Sequence, residues 1–154
     1  KYFFDVNPKG EIFADARGQN WQLLLPLYFK YKRHFLNEPL YNYIRYEISM
    51  SLGDDSLEKQ IFRANEHEEI ILKTLDSMTM DKRSFKKFTF ETKIRYSRKR
   101  LTLAFLEMHK SLTNKEYLFL KENDQKRIKE FIYYIISKNT SIHRLFLNII
   151  SLIR

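Results

Sequence analysis

The apolar residues Leu57, Ile61, Ala64, Ile71, Leu75 and Met78 are spaced four, three, seven, four and three apart. This is the seam of a helix packed on another helix, and Glu68 stands at the one position the pattern skips. The spacing predicts a helix over 56–78. A second stripe, Ile94, Leu101, Phe105, Met108 and Leu112, predicts a long helix over 81–112, with Asp81 placed to cap it. Thr113 followed by Glu116 has the form of a capping box and predicts one helix over 113–139. That helix carries Tyr117 and Leu120, a polar run over 121–127, and then an apolar stripe of Ile128, Phe131, Ile132, Ile135 and Ile136. Thr140 or Ser141 is placed to cap a last helix with Ile142, Leu145, Phe146, Ile149, Ile150 and Ile153.

The first third is less regular. Residues 1–19 read as irregular, with a turn at Asn7, Pro8, Lys9 and Gly10 and a short helix over 11–17. Asn20 is placed to cap a helix through Leu36 with Pro26 in its second turn. Asn37 and Pro39 open the next, whose stripe is Leu40, Ile44, Ile48 and Leu52. All three glycines and all three prolines lie at or before Gly53. The rest of the chain therefore lacks the residues that supply the positive or fixed φ of β-turns. Pattern and punctuation agree on an all-α fold, a single helical bundle domain of six to seven helices over 1–154.

The chain has no cysteine, which excludes disulfides, thiol catalysis and thiolate metal sites. His34, His67, His109 and His143 are far apart, and the acids beside His67 (Glu66, Glu68) and near His109 (Glu107) do not share a helix face with them. Phosphate-cradling glycine loops and nucleophile elbows are missing. A helical RNase of the HEPN type needs an Arg, four to six residues and a His. Arg63 and His67 have three between them, and Arg100 and His109 have eight. The expectation is a non-enzyme without metal or cofactor. No apolar run approaches the ~20 residues that span a bilayer, and no leader pattern opens the chain, so the expected location is cytoplasmic.

Charge is unevenly placed within a net +9. Residues 1–80 hold ten Lys or Arg against twelve acids, and residues 81–154 eighteen against seven. The stretch over 82–100 is the densest, and Lys86, Lys87, Lys93, Arg95, Arg98, Lys99 and Arg100 are candidate contacts to a polyanion. Phe85, Phe88, Phe90 and Tyr96 lie among them and suit base stacking.

Aromatic residues make up 16% of the chain. Trp21, Tyr28, Tyr31 and His34 share one predicted helix, Tyr43 lies in the next and Phe105 in a later one. These six are the candidate lining of one enclosed cavity for an apolar or aromatic ligand. The segments NWQLLLPLYFKYKRHFL and EPLYNYIRYEI, with the number and length of the helices, resemble the regulatory half of TetR/AcrR-type transcriptional repressors. Tyr2, Phe3 and Phe4, and then residues 9–13, are similar to the turn that ends the DNA-binding part in that family. The resemblance implies a small-molecule effector, a homodimer built from the last helices, and DNA bound by a helix-turn-helix domain upstream. The dimer contact would then fall on Ile128, Phe131, Ile132, Ile135 and Ile136. Two other readings stand beside it: a basic module that binds nucleic acid through 82–100, and a helical adaptor that turns its basic face to an acidic protein.

Overall fold

The computed structural model describes residues 2–7, 10, 19–32, 37–38 and 56–153. Among them the chain forms helices α1 (Tyr2–Val6), α2 (Gln19–Lys30), α3 (Leu57–Ser77), α4 (Lys82–Leu106), α5 (Lys110–Glu122), α6 (Ile128–Ser137) and α7 (Thr140–Ile153). The fold is all-α. The helix expected over 11–17 and residues 39–52 of the one expected after Asn37 lie outside the described residues. The second helix starts at Gln19, so Asn20 lies inside it and does not cap it, and it ends at Lys30, short of the expected Leu36, with Tyr31 and Lys32 no longer helical. Inside the segment expected to be irregular, Tyr2–Val6 is helical. The Asn7 carbonyl accepts from the Gly10 N–H at 3.0 Å, and Gly10 takes φ 65°, a conformation open to glycine without a Cβ penalty.

α4 is the central element, about 37 Å long at ~1.5 Å per residue. Asp81 caps it by accepting from the Arg83 and Ser84 N–H groups at 3.0 and 2.9 Å. The Ser84 hydroxyl and N–H hold the Asp81 carboxyl below its usual 3.8. α4 packs on α3, which in turn packs on α2, around Ala64, Ile71, Leu75 and Tyr96. Burial pushes the Tyr96 phenol upward. α4 also packs on α5 and α6, around Ile94, Leu101, Tyr117 and Leu120. At the end of α4, Phe105 is fully buried and stacks on Tyr133 at 3.9 Å and His143 at 4.3 Å, with Phe146 edge-on at 5.8 Å. His143 is fixed there by a 2.8 Å hydrogen bond between Nε2 and the Phe105 carbonyl.

Boundaries in the second half of the chain differ from the sequence expectation too. α4 stops at Leu106 and α5 starts at Lys110, so Thr113 is inside a helix and caps nothing. Its hydroxyl donates to the His109 carbonyl at 3.1 Å, and the cap is His109, whose Nδ1 accepts from the Leu112 N–H at 3.4 Å. The helix expected over 113–139 is two, α5 and α6, broken in the polar run. Both breaks have six-to-one and five-to-two bonds: His109 N–H to Ala104 and Met108 N–H to Phe105, then Gln125 N–H to Leu120 and Asp124 N–H to Lys121. These are Schellman ends whose left-handed residues, Met108 at φ 56° and Asp124 at φ 55°, are not glycine. α7 is capped by Asn139, not by Thr140 or Ser141, which lie inside it: the Asn139 side-chain oxygen accepts from the Ser141 and Ile142 N–H groups.

Candidate functional site

Three helices each contribute a stripe at i, i+4, i+7. On α2 it is Trp21, Leu25 and Tyr28; on α3 and just past its end, Ile71, Leu75 and Met78; on α4, Phe88, Thr92 and Arg95. With Phe29 and Glu91 they line a pocket of about 560 Å³. Ile71 and Leu75 are buried in its floor, and Phe29 meets Phe88 edge-on at 6.1 Å across α2 and α4. Drug-sized ligands occupy cavities of roughly 300–1,000 Å³ with apolar walls and a few polar groups. This pocket has such walls, one threonine hydroxyl and one tyrosine hydroxyl, and its lining charges are Glu91 and Arg95.

Of the six candidate lining residues, Trp21 and Tyr28 meet in this pocket. Tyr31 does not join them: its hydroxyl donates to Asp5 Oδ2 at 3.2 Å and ties α2 to α1. Phe105 lies in the other core, enclosed by Tyr133 and His143, because α4 is long enough to serve two clusters. His34 and Tyr43 lie outside the described residues. Nor is the pocket closed among the described residues, since Trp21, Tyr28 and Phe29 are 36%, 49% and 45% exposed. Leu25, Met78, Phe88 and Arg95 were missed as lining. Their signal was the repeated four-three stripe, which marks a buried face without saying which other stripe it meets.

The basic stretch divides in two. Arg98 donates from Nε to Glu130 at 2.8 Å and from Nη2 to the Gln125 carbonyl at 2.7 Å, clasping the start of α6. Arg100 donates from Nε to Glu116 at 2.9 Å and from Nη1 to Glu68 and to Asn65, joining α3, α4 and α5. Burial alone would lower the Arg100 pKa, but its hydrogen bonds to Glu116 and Glu68 outweigh that and raise it. These two arginines, expected on a polyanion-binding face, are internal ties. Lys86, Lys87, Lys93, Arg95 and Lys99 are exposed, with Lys87 4.0 Å from Glu91. The second cleft that Arg95 lines also holds Phe90, Arg98 and Arg127.

On α6, Ile128, Phe131, Ile132 and Ile135 are 81%, 48%, 42% and 46% exposed, whereas Ile136 is partly buried. On α7, Ile142, Leu145 and Ile149 are exposed as well. Among the described residues no three His, Asp or Glu gather as a metal site, and no helix is long and apolar enough to cross a membrane. Comparison of the chain with protein-family models, with curated proteins and with solved structures finds no match.

Proposed function

We propose that this chain is a ligand-binding and dimerisation domain of the kind found in TetR/AcrR-type regulators, sensing a small apolar or aromatic effector. The observation that carries the reading is the pocket of about 560 Å³ between α2, α3 and α4. Its floor is aliphatic core, and its walls are the aromatic residues of α2 and α4. A ligand there replaces water on Trp21, Tyr28 and Phe29 and joins three helices, so occupancy is felt across half the bundle. In the regulators it resembles, DNA binding belongs to a separate helix-turn-helix domain, and this half contributes the effector site and the pairing surface. The pairing surface is the outer face of α6 and α7, covered by a second copy of the chain. A nucleic-acid interface over 82–100 is the weaker reading, because Arg98 and Arg100 are held by Glu130, Glu116 and Glu68.

Nile red, a neutral apolar dye, tests the pocket. Saturable binding of one dye per chain is expected, with energy transfer from Trp21, the single tryptophan. Leu25→Trp fills the pocket and should weaken binding at least about tenfold, while far-UV circular dichroism shows the helices intact. Dye that fails to saturate, or that binds Leu25→Trp equally well, would overturn the proposal.

A further inference from the structure

We infer that the pocket selects an amphipathic anion, an apolar body carrying one carboxylate, and that Arg95 receives the carboxylate. The inference rests on the pocket reading above and adds the chemical class of its ligand. The argument starts from the charges on the lining, Glu91 and Arg95. Glu91 has Lys87 one turn back, 4.0 Å away, which offsets its charge. Arg95 has no hydrogen bond or ion pair among the described residues, whereas Arg98 and Arg100 on the same helix are both held by glutamates. The rim therefore carries one uncompensated positive charge. Arg95 stands one turn beyond Thr92 on the stripe that begins at Phe88, so a single molecule can lie along that stripe. Its apolar part then rests on Phe88 and Leu75, and its head reaches a hydroxyl and a guanidinium. A planar guanidinium takes a carboxylate through two parallel N–H bonds, which a neutral alcohol cannot reproduce.

The test uses three probes with one alkyl chain: decanoate, decanol and decyltrimethylammonium. Affinities are read from Trp21 fluorescence or displacement of Nile red. Decanoate should bind about tenfold tighter than decanol, the scale of one charge-assisted hydrogen bond at a partly exposed site, and the cation weakest. In Arg95→Gln the decanoate-to-decanol ratio should fall to about one. Lys93→Gln, two residues away on the same helix and off the lining, should keep the ratio. Equal binding of acid and alcohol would overturn the inference while leaving the pocket reading intact. So would a ratio that survives Arg95→Gln, or tightest binding by the cation, which would make Glu91 the selecting group. If none of the three binds and Nile red does not saturate, both readings fail together.

Discussion

Arg100 shows how one side chain can be read wrongly in a sequence and plainly in a fold. In the chain it is the last of a dense basic run. In the structure its side chain is 13% exposed and has carboxylates from two neighbouring helices on it. Removing it leaves Glu68 and Glu116 facing one another without a counter-charge. Arg100→Met should therefore cost about 3–5 kcal/mol in a urea melt, as loss of one partner from a buried ion pair does. Adding Glu68→Gln and Glu116→Gln to that variant should return much of it, because no buried charge is then unpaired. A triple variant no more stable than Arg100→Met would show that packing of the arginine stem, not charge, holds the three helices. Glu68 already carried a hint, since it stands where the α3 seam skips an apolar residue. A charge on a buried stripe calls for a buried partner, but which base supplies it depends on a contact 32 residues away in sequence.

At the level of elements, the stripes of α3 and α4 were legible because burial repeats with the helical period, and the structure buries Ala64, Ile71 and Leu75 on one, and Ile94, Leu101 and Phe105 on the other. The two breaks near Met108 and Asp124 were not legible, and the reason is the same lack of glycine that pointed to helices. Helix ends that turn through a left-handed residue usually announce themselves with Gly at that position. Here Met and Asp take it instead, at a conformational cost, and only the polar run over 121–127 marked the second break. Asp124 is exposed and makes no side-chain cap, so Asp124→Gly relieves its backbone with little else lost. The relief outweighs the added freedom of the unfolded chain, and a gain of about 0.5–1 kcal/mol is expected in denaturant titration. A loss of stability on that change would mean the turn is held by Asp124 itself. The pocket was half legible for a related reason: each stripe can be read alone, but the meeting of α2 with α3 and α4 is tertiary. Phe105, on a stripe as apolar as the others, went to a different core.

For the whole molecule the open question is what covers α6 and α7, and salt separates the candidate partners. The outer face is apolar, with Ile128, Phe131, Ile132 and Ile135 on one helix and Ile142, Leu145 and Ile149 on the next. The same helices and the link between them are basic: Lys129, Lys138 and Arg144 are exposed, and among the described residues α7 has no acid. A second copy meeting these helices about a two-fold axis brings two sets of basic side chains together and closes a four-helix bundle. Hydrophobic burial drives that association and like charge opposes it, so added salt should strengthen it by screening. A polyanion on the same surface would be released by salt, because counterions compete for the lysines. Sedimentation at micromolar concentration is expected to show a dimer whose dissociation constant falls as salt rises from low to physiological ionic strength. Ile135→Glu should give a monomer with unchanged helicity, since its 46% exposure lets the carboxylate stay hydrated in the separated chain. A wild-type monomer at every salt concentration would remove the pairing surface from the proposal. Unfolding of Ile135→Glu would move this stripe from the interface to the chain's own core.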